Sequence, residues 1–245
     1  MEITREIATK VRDIVDAGLV NGVGVAQPGK MCVEAAVCFA LGLPHGDDPG
    51  CVSEPLRRLK IRLNDSRWSS DRARAAGLRR LAVAQLGSKG VLDDAEFVRR
   101  VVEMTIRRSV PTALRSAAKV NPKHAAQLEA AAVRCETEGT REAAREGERV
   151  ARAAAAYAAY ASAASASAYA YAYAAAAYAA YASAASASAY AYAYAAAAAA
   201  SAADAADAAA RDKSLATYAE WVVEILIDMN APGCEWLDLT PLAVA

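Results

Sequence analysis

Histidine and phenylalanine each occur only twice in 245 residues. With His45 and His124 as the whole supply, a histidine-rich metal centre is excluded, and an imidazole base has two positions to choose from. The five cysteines, Cys32, Cys38, Cys51, Cys135 and Cys234, are odd in number, and no two stand in C-x-x-C spacing. That argues against a disulfide framework and against a four-ligand zinc site, so no metal and no cofactor is expected. The opening stretch MEITREIATKVRDIVDAG is charged throughout and has no apolar run of the secretory kind. A reducing, cytoplasmic setting is expected. Between Thr140 and Asn230 there is no proline and one glycine, Gly147, so little there interrupts a helix.

What is present is helical periodicity. Ile3, Ile7, Val11 and Ile14 predict an amphipathic helix over residues 3–16. MCVEAAVCFALG reads as a buried helix ended by Gly42, with Cys32, Val33, Ala36, Val37 and Phe39 as core. Leu56, Leu59 and Leu63 line one face of a helix that Pro55 can open. Ser69 or Ser70 caps the next, with Leu78, Leu81 and Leu86 inward. Asp93 starts another, which Pro111 ends or kinks. Asn121-Pro122 opens a helix running to Glu138, and Gly139-Thr140 is a stop followed by an N-cap. Leu215, Tyr218, Val222, Ile225, Leu226 and Met229 form a last apolar stripe, closed by NAPG. Only GLVNGVGV could pass for a strand, so the expected fold class is all-α.

The segment AAAAYAAYASAASASAYAYAY at residues 153–173 is repeated letter for letter at 174–194. Alanine is the best helix former, and tyrosine and serine each cost roughly 0.5 kcal/mol relative to it, so the sum favours a helix. Strict alternation over residues 165–173 has the period of a strand, but alanine is depleted in strands. The stretch lacks Leu, Ile, Val and Phe, which argues against a membrane span. At 100° per residue Tyr157, Tyr160 and Tyr171 fall near one another, as do their repeats Tyr178, Tyr181 and Tyr192. These rings keep a polar tip on a small apolar surface and are the candidate partner-binding residues.

Charge is unevenly spread. Residues 55–123 hold seventeen Lys/Arg against six Asp/Glu, while residues 1–54 hold four against eight and residues 124–245 seven against fourteen. The basic middle either pairs internally or offers a face, with Arg57, Arg58, Arg62, Arg72, Arg79 and Arg80 as its candidates and Trp68 as a possible stacking ring, to nucleic acid.

Two short motifs carry chemistry. GVAQPGKM, with Gly24, Gly29 and Lys30, resembles a phosphate-binding Walker A loop, but Met31 stands where a magnesium-binding Ser or Thr belongs. VVEILID has the letters of its companion strand in a helical context. QPGKMCVEAA places Gln27 five residues before Cys32 and resembles the entry of papain-like cysteine peptidases. That resemblance implies a thiol nucleophile at Cys32, an oxyanion donor at Gln27 and a base at His45 or His124.

Neither set is complete. The expected protein is a non-catalytic helical binding or assembly protein acting through its Ala/Tyr-rich arm, with a protein partner or self-association and no membrane. Nucleic-acid binding through residues 55–123 and a Cys32-dependent hydrolase are the alternatives. The expected organisation is a helical globular domain at 1–139, an Ala-rich arm at 140–214, and a C-terminal helix and tail at 215–245 that docks on the globular part, with Trp236 largely buried there.

Overall fold

The computed structural model describes residues 2–158 and 208–242. Within them the chain is all-α, with no strand beyond a single antiparallel bridge between Gly24 and Met31. Chain contacts divide it into two compact units, Met1–Val98 with Leu215–Ala245, and Arg99–Ser214. The division falls at Val98/Arg99, inside a helix, rather than at Gly139. Residues 159–207, with Tyr160, Tyr171, Tyr178, Tyr181 and Tyr192, lie outside the described residues.

In the first unit, α1 (Arg5–Asp16) is capped by Thr4 and packs on α2 (Val33–Ala40) and α4 (Asp71–Ala84). Between α2 and α4 lies α3 (Glu54–Asn64), whose Leu56, Leu59 and Leu63 are fully buried. Ser70 caps α4 by accepting from the Ala73 N–H at 3.1 Å. Helix α2 is buried on nearly every side, but Phe39 is not core: it stands 43% exposed at the helix end. Trp68 is buried, donates its indole N–H to the Leu63 carbonyl at 2.8 Å and fills the space over Gly77. It is a packing residue, not a stacking platform.

The chain returns to this unit through α9 (Ala208–Asp228), whose Leu215, Tyr218, Val222 and Leu226 are buried. A 3₁₀ segment, Pro232–Leu239, then packs on α4 and α1. Its anchor is Gly233. A Cβ there would lie 2.4 Å from the Val83 carbonyl oxygen and 2.7 Å from that of Ala84, so only glycine allows this approach. Trp236 is half-buried, not largely buried, because the closest contact belongs to Gly233; the Arg5 guanidinium lies 5.9 Å from the Trp236 ring centre. Arg5 also pairs with Asp238.

In the second unit, α5 (Asp94–Met104) runs into a π turn at Thr105–Ser109 and on into α6 (Val110–Val120). Pro111 does not end the helix. It sits in the first turn of α6, and the wider π turn before it accommodates the missing N–H. Helix α7 (Ala125–Glu138) begins after Asn121-Pro122 rather than at them, because the Asn121 side chain accepts from the His124 N–H. It ends at Gly139 in the left-handed conformation, and Thr140 caps α8 (Arg141–Ala158). Arg107 holds the end of α7 by donating to the carbonyls of Glu136, Thr137 and Glu138 at 2.7, 2.9 and 3.1 Å.

Candidate binding surface

Cys32 is the N-cap of α2, and its Sγ accepts from the Ala35 N–H at 3.3 Å. Helix N-termini favour thiolates, but burial pushes this thiol up, outweighing the backbone N–H groups of Ala35 and Glu34. Gln27 is exposed at the tip of the preceding loop. His45 directs Nε2 to the Gly24 carbonyl oxygen at 3.0 Å, and His124 lies in the other unit beside Asn121. The other thiols are free and also shifted up by burial, Cys38 to about 11 and Cys135 to about 12. No group of three or more His, Cys, Asp or Glu among the described residues is gathered as a metal would need.

Beneath Cys32 lies a pair not anticipated from the sequence. Glu34 of α2 and Lys60 of α3 are both fully buried, with Nζ 3.1 Å from Oε1. The distance is that of an ion pair, but neither group is aligned for a hydrogen bond. Burial raises the Glu34 carboxyl to about 7 despite the opposing pull of Lys60, and burial lowers the Lys60 ammonium. A lone Glu in an otherwise apolar helix was the available signal; its partner is remote in sequence.

The loop that resembles a phosphate cradle closes on itself. The Val25 N–H donates to the Lys30 carbonyl at 2.8 Å, Lys30 to Gln27 at 2.9 Å and Gln27 to Val25 at 2.6 Å, so these N–H groups serve the loop instead of an anion. VVEILID lies within α9. The arginines behave similarly. Arg57 and Arg58 engage Glu54, Arg57 also lies near Asp47, Arg79 engages Asp16, and Arg80 binds Glu220 and the Thr240 carbonyl. Arg62 is half-buried and Arg72 exposed. In the second unit Arg115 spans Glu129 and Glu136. The basic middle of the sequence is extensively matched by carboxylates, many of them from the acidic flanks.

Two features remain open. A groove of about 310 Å³ between α7 and α8 is floored by Ala130, Ala131, Val150 and Ala153. Its ionised rim is self-paired, Arg134 with Glu138 and Arg149 with Glu146. The other feature lies on the first unit. Val23 and Val25 are 37% and 56% exposed, and Phe39 and Leu43 are 43% and 37% exposed. Val23 and Val25 stand on the loop before α2, Phe39 on the last turn of α2 and Leu43 just after it, and His45 ties the second segment to the first through the Gly24 carbonyl.

The backbone under Val23 and Val25 is fixed. A Cβ on Gly24 would lie 2.1 Å from the Lys30 oxygen. Asn64 donates to the Val20 carbonyl at 2.9 Å and Asp65 accepts from the Gly22 N–H at 2.8 Å. Buried Arg74 donates to the Leu19 carbonyl at 2.8 Å. Among the described residues no helix is long and apolar enough to cross a membrane, and the chain matches no protein-family model, no curated protein and no solved structure.

Proposed function

We propose that this is a non-catalytic helical protein that acts by binding or assembly. The observation that carries this role is the set of large apolar side chains left in water on the first unit: Val23 and Val25, on a loop whose entry is held by Asn64, Asp65 and Arg74, and Phe39 and Leu43 on the segment that His45 joins to that loop. Large apolar side chains left in water on a hydrogen-bonded frame support a binding role. The Ala/Tyr/Ser segment at residues 153–194 is assigned to assembly on sequence grounds, through its tyrosine rings. Five free thiols fit a reducing, cytoplasmic setting.

The alternatives have weaker support. A Cys32 hydrolase needs a lowered thiol pKa and an imidazole directed at the sulfur; burial raises the first, and His45 is engaged at Gly24. Nucleic-acid binding needs free cations, and Arg57, Arg58, Arg79 and Arg80 have carboxylate partners. Alkylation by iodoacetamide at neutral pH tests the role. A binding protein leaves Cys32 unmodified until it is denatured. Rapid modification of Cys32 alone in the native protein, together with turnover of a peptide or ester substrate, would overturn it.

A further inference from the structure

Resting on that binding role, we infer that the outward face of α7 and the groove beside it receive this chain's own Ala/Tyr/Ser segment, a stretch of residues 159–207, as an intramolecular contact. Ala126, Ala130, Val133 and Thr137 follow one another at spacings of four, three and four, and all are exposed, Val133 by 45%. That spacing keeps them on one face of the helix, as in the seam of a coiled coil. The Thr137 hydroxyl donates back to the Val133 carbonyl at 3.0 Å, so the stripe carries no charge and asks for no hydrogen bond. The other sides of α7 are taken. Leu128, Ala132 and Cys135 belong to the core, and Glu129 and Glu136 are held by Arg115 of α6. Toward α8 the stripe runs on through Ala130 into the groove with Ala131, Val150 and Ala153.

Charge, position and size select the occupant. A charge buried against an uncharged face loses its hydration and gains no partner, and from Ala153 to Ala203 the chain has no charged residue. Its alanines allow close approach to Ala126 and Ala130, and its tyrosine rings can lie on the alanines with their hydroxyls turned to the polar rim at Gln127. The segment also leaves from the right place. Helices α7 and α8 are joined by Gly139-Thr140 alone and run antiparallel. Ala153, across the groove from Gln127, is the first residue of the repeat. The chain therefore departs beside the start of α7, and residues that turn back meet Ala126 first and Thr137 last. The stripe is about 17 Å long, so about a dozen residues at helical rise cover it. A separate molecule would have to offset its lost translational freedom from four small side chains and a shallow groove. A tethered segment is present at an effective concentration of about millimolar. A partner that takes the tyrosines must then displace α7.

The test uses the full chain and chymotrypsin, with cleavage after the tyrosines of residues 160–194 followed by mass spectrometry. Ala130→Glu and Val133→Glu each place a charge on the stripe, and Thr112→Glu places one on α6 of the same unit as the control. All three positions are exposed, so none of the changes reaches the core. Cleavage should be at least tenfold faster with Ala130→Glu and with Val133→Glu than in the parent, and unchanged with Thr112→Glu. The reciprocal measurement reads α7. Ala130→Cys should be labelled by fluorescein maleimide at least tenfold faster when every tyrosine of residues 160–194 is replaced by serine, and dilution should not alter that ratio. Equal cleavage of the parent and Val133→Glu would overturn the inference. So would protection that disappears on dilution together with a dimer mass in light scattering, since the segment of a second copy would then be the occupant. Either result leaves the binding role to stand or fall on the Cys32 alkylation test.

Discussion

In the first unit the core is built from large aliphatics, among them Leu19, Leu56, Leu59, Leu63, Leu78 and Leu81, around a fully buried Glu34–Lys60 pair and a nearly buried Arg74. In the second, Ile106, Val110, Leu114 and Leu128 are outnumbered by alanines, including Ala113, Ala117, Ala131, Ala132, Ala143, Ala144, Ala151 and Ala154. There the charges stay at the rim, with Arg107 and Arg115 bridging to α7. Small side chains let helices approach closely and leave little apolar area per contact. Large ones fill the space between more distant helices and can enclose a charge. The first unit should therefore be sensitive to truncation and to charge, and the second to enlargement.

The largest effect should come from breaking the buried pair. Lys60→Met strands Glu34 and should cost about 3–5 kcal/mol in chemical denaturation, while the double change Glu34→Leu with Lys60→Met should be close to neutral or stabilising. A double variant as damaged as the single would mean that the pair itself sustains the core. The pair also sets a pH dependence. The Glu34 carboxyl is raised to about 7 in the folded state from 4.5, so the folded core holds its proton more tightly than the unfolded chain does. The resulting stabilisation is complete below about 4.5 and is lost as pH rises through about 7. Melting temperatures of Glu34→Gln between those values should lack this decline.

Next in size, Leu59→Ala in the first unit should cost about 2–5 kcal/mol through the cavity it leaves. Enlarging Ala132 to Leu in the second should cost about 1–3 kcal/mol through overpacking. If Ala132→Leu were tolerated without loss, the second core would not be as tightly filled as its alanines imply. The smallest of the four is Trp236→Ala, expected to cost about 1–2 kcal/mol because the ring is only half-buried. Gly233→Ala should cost more than that. The reverse order in urea titrations would place the anchor of the tail at the indole.

Much of the fold was legible because local chemistry decided it. The caps at Ser70, Asp93 and Thr140 and the stop at Gly139 follow from short side chains and a left-handed glycine. What escaped depends on remote partners or on a backbone option that periodicity does not encode. The π turn ahead of Pro111 keeps a helix going where proline normally stops it. Lys60 looked like one more cation of a basic stretch, and its burial is defined by Glu34, twenty-six positions earlier. Phe39 sits on the apolar pattern of α2, but it lies in the last turn of the helix and its ring is left outside. The exposure of Val23 and Val25 was hidden because they lie among glycines, where the sequence reads as a turn.

The self-bonded loop at residues 20–32 separates the residues that hold it from the residues it displays. Gly24, together with Asn64, Asp65 and Arg74, fixes the path of the backbone, whereas the side chains of Val23 and Val25 contribute surface without being core. Evolution, or a protein engineer, can thus rewrite the displayed pair without reopening the folding problem. A library that randomises Val23, Val25 and Leu43 while keeping Gly24 should yield mostly folded members with divergent tastes in ligand. The same library made at Gly24 should yield mostly misfolded ones.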